Sequence, residues 1–393
     1  MSKILNYISD QFIFFNLRKI SFGYLNLIDS TGKEYFFGDS KSFLKAKIKI
    51  NDPNFCYKIL RKGSSALGES YMNGEFETGD LTSLIELSAK NINTTHKFSG
   101  FFEFSLLKKF LKENKNTIKK SKKNISLHYD LGNDFFSTWL DKSLTYSCAI
   151  FNSSEETLEQ AQINKYNKLI NMVKPKRGDK ILEIGCGWGG FAEHLAKNHD
   201  IKLDCITISQ KQYKFTKERI RVKKLNHKVN VKMMDYRDLK NKYDIIVSIE
   251  MIEAVGEKYL DKYFNVIKEN LSPGGRAAIQ AIVIKNELYN RYKTKEDFIQ
   301  KYIFPGGFLP SVNSLNKSSN KSGLKIEAYH SYGSHYSSTL QKWRESFLNS
   351  WDSISKQGFN TSFKKMWDFY FSYCDAGFKS KNIDLVQFSL CNK

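Results

Sequence analysis

The chain predicts an α/β protein: a doubly wound, mostly parallel sheet with a helical cap, preceded by a smaller α+β domain. Three observations carry this. From about residue 175 onward, short apolar strands alternate with helical stretches, the pattern of repeated βα units. One of those strands, Lys180–Ile184, runs straight into a glycine-rich turn and then a helix. Residues 1–100 instead carry short segments of alternating polarity, broken by turn signals.

In chain order, the first domain is expected over residues 1–107. Its strand candidates are Tyr24–Ile28 and Lys45–Ile50, with turns at Ser30–Lys33 and Asn51–Pro53. A Lys-rich linker is expected over 108–124, with eight lysines between 108 and 123 against one acid, Glu113. It reads as a solvated tether, although each Lys adds about 1 kcal/mol at an anionic bilayer surface. The main domain is expected over 125–393, with strands Lys180–Ile184, Leu203–Ile208, Val229–Met234, Tyr243–Ile249 and Arg276–Ile284. Helices fall between them at 190–198, 209–223 and 257–270. Insertions at about 285–322 and 337–380 interrupt the alternation. The second is rich in aromatic residues, which suits a cap over the sheet or a plain helical core.

Composition sets bounds on function. No apolar run approaches the ~20 residues needed to span a bilayer. Met1–Lys19 mixes Asn6, Asp10, Gln11 and Arg18 with its apolar residues, so no signal peptide is expected. The six cysteines form no Cys-x-x-Cys pair, which suits a reducing cytoplasm and argues against a structural zinc site; no metal-ligating residues are expected. The net charge of +21 favours an anionic macromolecular partner, nucleic acid or an acidic membrane surface. Lys, Asn, Ile and Phe are abundant together, a compositional bias, so charge alone does not choose between them.

The glycine turn carries the first chemistry. Gly185, Gly187 and Gly189 stand at alternate positions, where backbone can approach a ligand that a Cβ would obstruct. The helix after it aims its N-terminal amides into the same crevice. The spacing is Gly-x-Gly-x-Gly with Glu183 two residues before it, unlike the Gly-x-Gly-x-x-Gly of dinucleotide binders. Acid-x-Gly-x-Gly-x-Gly resembles the first motif of the class I, Rossmann-like S-adenosylmethionine methyltransferases.

Further blocks make the resemblance specific. Upstream stand His128-Tyr129-Asp130-Leu131-Gly132-Asn133-Asp134-Phe135-Phe136 and Leu144-Thr145-Tyr146-Ser147-Cys148-Ala149. Downstream come Ile206-Thr207-Ile208-Ser209-Gln210-Lys211-Gln212, Asp235-Tyr236-Arg237-Asp238 and Ser248-Ile249-Glu250-Met251-Ile252-Glu253-Ala254-Val255-Gly256. Lys301–Ser311 and Cys374-Asp375-Ala376-Gly377-Phe378-Lys379 complete the series, and Gly68-Glu69-Ser70-Tyr71-Met72-Asn73-Gly74 looks like the N-terminal domain of the same family. In this order the blocks closely resemble the cyclopropane-fatty-acyl-phospholipid synthase family.

The resemblance implies transfer of a methyl or methylene group from S-adenosylmethionine to a cis double bond of an unsaturated phospholipid acyl chain. An alkene has no proton to lose first, so no base is needed to start. Attack leaves a carbocation, and ring closure then needs a base, which in the family is a bicarbonate ion. That ion would be held by the backbone of Cys148 and by Glu253 and Tyr336, with Gln280 at the position of a His. Gln280 can donate to an anion but cannot titrate, which leaves open a cyclopropane product or a methyl- or methylene-branched one. Ala254 replaces a His that often comes after the Glu. Cys374 stands where a nucleophile was once proposed, yet alkylation gives a thiolate nothing to attack, and a structural reading is preferred.

For the cofactor, the resemblance points to Tyr146 and Ser147 at the carboxylate end and to Glu183, Gly185, Cys186, Gly187 and Gly189 along the turn. Thr207, Ser209 and Gln212 come after the second strand, where an acid usually meets the ribose; Tyr236 and Arg237 come after the third, near adenine. Trp188 reads as packing. The expected setting is cytoplasmic, at the inner face of the membrane, with peripheral contact and a possible homodimer. Nucleic acid is not expected, because Glu250-Met251-Ile252-Glu253 stands where base-nitrogen methyltransferases carry Asn/Asp-Pro-Pro-aromatic. A lipid-binding module without catalysis is the remaining alternative.

Overall fold

A computed structural model describes residues 3–91, 131–294 and 296–392. The Lys-rich linker and the His128-Tyr129-Asp130 end of its block lie outside the described residues. The chain divides into two units. One comprises Met1–Glu113, Lys295–Ile303 and Ser355–Asn382; the other comprises Asn114–Thr294, Phe304–Ile354 and Ile383–Lys393.

The first unit builds a four-stranded sheet in the order β2-β1-β3-β4. β1 (Tyr24–Ile28) and β2 (Glu34–Gly38) form an antiparallel hairpin, and β3 (Lys45–Ile50) lies parallel to β1. β4 is the short Phe76–Glu77. Along β3 the expected alternation is complete, with Ala46, Ile48 and Ile50 buried and Lys45, Lys47 and Lys49 exposed. Helices Lys3–Leu17, Phe55–Lys62, Ser64–Met72 and Leu81–Lys90 complete the N-terminal part.

Two segments expected in the cap, 295–303 and 355–382, belong to this unit. The reason is a close approach at Gly68. A Cβ there would come 2.2 Å from Cδ2 of Phe298 and 3.0 Å from Cε1 of Phe369. Phe298 and Phe369 are themselves packed ring on ring, 4.5 Å between centroids, and fully buried. On the same helix as Gly68, Tyr71 donates to Asp368 (2.6 Å), while Glu69 accepts from the hydroxyl of Tyr302 (2.9 Å). The aromatic stripe of helix Thr361–Lys379 therefore finds its partner in the Gly68–Gly74 motif.

The second unit holds a seven-stranded sheet. Its strands are β5 (Lys180–Ile184), β6 (Lys202–Thr207), β7 (Val229–Met233), β8 (Tyr243–Ile249), β9 (Leu271–Ile284), β10 (Leu324–Ser331) and β11 (Ile383–Asn392). Their order is β10-β11-β9-β8-β5-β6-β7. β9, β8, β5, β6 and β7 are mutually parallel, and β11 runs antiparallel between β9 and β10. β5 and β8 have the expected bounds, β6 and β7 differ by single residues, and β9 starts at Leu271 rather than Arg276. Successive strand residues serve opposite faces: Ile181 and Ile245 pack with Leu169, Phe191 and Leu195, while Leu182 and Ile246 pack with Phe264 and Ile267.

From β5 the chain winds outward through helix Gly190–Asn198 to β6, then through Gln210–Val222 to β7. It then returns across β5 to form β8, so the winding reverses between β5 and β8. A crevice opens at the carboxyl ends of strands at such a point, and the glycine turn lies there. All six cysteines are free. Among the described residues no helix is long and apolar enough to cross a membrane.

Gly68→Ala tests the close approach. The gain in helix propensity, about 1 kcal/mol, is outweighed by overpacking against two buried rings, and a net loss of about 1–3 kcal/mol is expected in urea unfolding. An unchanged or raised midpoint would show that Phe298 yields its place freely.

Candidate active site

At the end of β5, Gly185, Gly187 and Gly189 have φ of +83°, +52° and +80°, a left-handed path that L side chains rarely adopt. The amides of Gly185 and Cys186 donate to the carbonyl of Ile206 (3.0 and 3.1 Å), which fixes the turn to β6. A Cβ on Gly189 would meet Thr216, whereas one on Gly187 would meet nothing within 4 Å. Gly187 thus leaves the open floor of a cradle and Gly189 its packed edge. Glu183 is buried within β5, and burial pushes its carboxyl up to about 7.

The other residues expected to hold the cofactor come after the neighbouring strands. After β6, Thr207 donates to the Gln212 side chain (2.9 Å), and Ser209 caps helix Gln210–Val222. After β7, Arg237 is drawn back onto Asp235 through two contacts of 2.9 and 2.7 Å, beside the half-buried Tyr236. Ser147 accepts from Lys165 (2.7 Å), and Tyr146 lies 5.2–5.6 Å from the rings of Phe136, Trp139 and Trp343. Trp188 is 3% exposed and donates to Asn133, which agrees with a packing role.

At the end of β8, next to β5, the chain turns at Glu250 with φ +47°. That conformation costs a non-glycine residue about 1–2 kcal/mol. The Glu250 amide donates to the carbonyl of Gln280 on β9 (2.9 Å), and its carboxylate is met by three donors. Oε1 accepts from the Cys148 amide (2.9 Å) and from Nε2 of Gln280 (2.7 Å); Oε2 accepts from the Tyr336 hydroxyl (2.6 Å).

Each donor is in turn held in place. Gln387 on β11 donates to Oε1 of Gln280 (2.8 Å), which turns the other end of that amide to Glu250. Thr339, one turn along helix Gly333–Asn349 from Tyr336, accepts from the Ala149 amide (3.1 Å) and so secures the loop bearing Cys148. Cys148 and Gln280 have no exposed surface, while Glu250 keeps an intermediate fraction.

The electrostatics separate two nearby acids. Burial raises the Glu250 carboxyl above its ordinary range, opposed by the Tyr336 hydroxyl, the charge of Lys165, the Cys148 amide and Gln280. Glu253, on the turn Ile252–Ala254, has one donor, the Ile282 amide at 2.6 Å on Oε1, and its buried Oε2 has no hydrogen-bond partner among the described residues. Burial and then the charge of Glu250 push its carboxyl up to about 8. Lys165 is fully buried on helix Leu158–Val173, and burial pulls its ammonium down to about 8.

The structure therefore brings Cys148, Gln280 and Tyr336 together as expected, Cys148 through its amide, but around Glu250. Glu253 is not in that group; its carboxyl is held by the amide of Ile282 instead. Three donors expected to hold a bicarbonate are engaged by a side chain of the protein itself, so the residues present do not fit that ion. Cys374 lies on helix Thr361–Lys379 of the other unit, its thiol pushed up by burial.

Glu250, Lys165 and Gln387 are site residues that the sequence alone does not single out. A signal exists for two of them. Glu250 is an acid at the carboxyl end of a strand beside the reversal point. Lys165 shares a helical face with Ala161, Leu169 and Ile170, where an apolar residue belongs.

The raised Glu253 carboxyl carries a pH signature. Folded, it keeps a proton that the unfolded chain releases above about 4.3, so this group's contribution to stability falls as pH rises from there to about 8. Glu253→Gln removes an ionisable group, and its stability relative to wild type is expected to improve steadily between pH 5 and pH 8 in urea unfolding. Parallel pH profiles for the two proteins would refute the assignment.

Comparison with known proteins agrees with this architecture. The family model described as mycolic acid cyclopropane synthetase matches residues 116–388, and one described as a domain of unknown function matches residues 26–98. The cyclopropane-fatty-acyl-phospholipid synthase of Escherichia coli is 36% identical over 346 residues, covering 87% of this chain and 87% of its own length. A tuberculostearic acid methyltransferase of Mycobacterium tuberculosis is 34% identical over 342 residues, 85% of this chain and 80% of its own. Among solved structures, a cyclopropane synthase from Mycobacterium tuberculosis superposes with a TM-score of 0.65 at 26% identity, covering 68% of this chain and 97% of its own. A mycolic acid cyclopropane synthase complexed with SAH and CTAB also gives 0.65 at 26%, covering 69% and 98%. The α/β fold is that of the class I methyltransferases. With its model spanning nearly all of the seven-stranded sheet, the chain belongs to the mycolic acid cyclopropane synthetase family.

Proposed function

We propose that this protein transfers the methyl group of S-adenosylmethionine to a cis double bond of an unsaturated phospholipid acyl chain and closes a cyclopropane ring. One observation carries the reading: a glycine cradle at the end of β5 stands beside a half-buried, donor-met carboxylate at the end of β8. Gly185, Gly187 and Gly189 with Thr207, Ser209, Gln212 and Tyr236 would hold the cofactor, and the open position at Gly187 fits a ligand passing close to backbone. S-adenosylmethionine supplies there an electrophilic methyl group on a sulfonium sulfur. The SAH in a related structure supports the same choice.

The chain's own groups suit the cationic stage of such a reaction. An alkene carbon that gains a methyl leaves positive charge on its neighbour. The Tyr146 ring, packed against the buried Trp139 and Trp343, and the Glu250 carboxylate are groups of the kind that stabilise such charge. The buried thiol of Cys148 and the half-buried one of Cys374 are both pushed up by desolvation, which favours the neutral form, and have no electrophile to attack. Contact with an anionic bilayer is supported by the +21 charge and by Ile4, Tyr7, Ile8 and Phe15, all more than half exposed on helix Lys3–Leu17. A second reading, a methyl-branched product without ring closure, is favoured by one observation, the non-titrating Gln280. It shares the first carbon–carbon bond and differs in the fate of the cation.

Expression in bacteria that lack their own synthase, with gas chromatography–mass spectrometry of their fatty acids, tests both readings. A cyclopropane fatty acid is expected; a methyl- or methylene-branched acid supports the second reading. Unaltered lipids from a protein that binds S-adenosylmethionine would sink both. Cys374→Ser is expected to keep most of the wild-type product yield, and a folded but inactive variant would restore this thiol to the chemistry.

A further inference from the structure

We propose that Glu250 is the base that closes the ring, in place of any free anion. This rests on the reading of the reaction given under the proposed function. After the methyl has joined the acyl chain, one of its C–H bonds breaks. That electron pair becomes the second carbon–carbon bond, made to the cationic carbon, and the proton forms an O–H bond on Glu250. The proton passes to water when product leaves, and the cycle needs no further reactant.

Four observations place this task on Glu250. Its carboxylate occupies the convergence of the Cys148 amide, Gln280 and the Tyr336 hydroxyl, so a free anion would have to compete for donors already engaged. A carboxylate offers about four lone-pair sites, and three are filled here, which leaves one to receive a proton. Its clamps, Gln387 on Gln280 and Thr339 on the Ala149 amide, fix the donors before any ligand arrives. Its backbone sits at φ +47°, a turn suited to glycine that is held here to bring a charged side chain into the crevice.

The charge balance agrees. Glu253, pushed up to about 8, keeps its proton at neutral pH, so the two acids do not repel as two anions, and the charge of buried Lys165 favours the carboxylate form of Glu250. Burial makes the Glu250 carboxylate more basic than one on the surface, which suits an acceptor. Gln280, Tyr336 and Lys165 act here as positioning residues.

The test uses full-length protein, S-adenosylmethionine and phosphatidylglycerol vesicles with monounsaturated chains, in buffer freed of carbon dioxide or supplemented with millimolar bicarbonate. Release of S-adenosylhomocysteine and ring content are both measured. Wild type is expected to turn over equally in both buffers. Glu250→Gly suits the left-handed backbone, so its fold should survive. Its ring formation is expected to fall by at least about 100-fold without bicarbonate and to recover in part when bicarbonate fills the vacated donors. Glu250→Gln keeps the volume filled and is expected to stay inactive in both buffers, while circular dichroism and S-adenosylmethionine binding match wild type. Wild type that loses turnover without bicarbonate, or either variant closing rings without it, would overturn the role of Glu250 and leave the proposed reaction standing. Wild type that alters no acyl chain in either buffer would overturn the reaction itself, and this role with it.

Discussion

A carboxylate drawn partly out of water must be met by donors, and the second unit is arranged around meeting one. Glu250 takes an amide from the loop before helix Leu158–Val173, an amide side chain from β9 and a hydroxyl from helix Gly333–Asn349. β11 contributes indirectly, because Gln387 orients Gln280. Segments more than a hundred residues apart in sequence therefore share one oxygen pair. Leaving such a group unpaired costs several kcal/mol, so the arrangement of strands, loop and helix is tied to the chemistry of the crevice.

Much of the fold is legible in the sequence. β5 and β8 are short apolar runs bounded by turn residues, and their limits are those the residue pattern marks. The helix after β5 begins where the glycines end. The features that are not legible depend on pairing at long range. β10 and β11 are of this kind, since nothing local in Leu324–Ser331 or Ile383–Asn392 announces a hairpin-like insertion beside β9. The aromatic stripe of Thr361–Lys379 marks a buried helix, but its partner is defined by the missing Cβ of Gly68, almost three hundred residues earlier.

The site divides the same way. Cys148, Gln280 and Tyr336 can be named from sequence and do converge, yet the residue at their centre is not Glu253, which the motif suggests, but the acid three positions before it. The two acids have the same side chain and the same turn between them. They differ in their donors, three for Glu250 and one for Glu253: at Glu250 the donors oppose the raising effect of burial, whereas the Glu253 carboxyl is pushed up to about 8. No spacing rule supplies a count of donors. Lys165 illustrates a softer failure: its helical periodicity is plain, but a lysine on an apolar face acquires meaning only once the Glu250 carboxyl is known to interact with it.

The left-handed turn at Glu250 has an evolutionary reading. The glutamate codons GAA and GAG each become a glycine codon by a single nucleotide change, and a backbone at φ +47° accepts glycine without strain. On the proposed role of Glu250, one such mutation would exchange a crevice that carries its own base for one that must borrow it from solution. What changes hands at that codon, on this role, is where the closing base comes from: the chain or the solution.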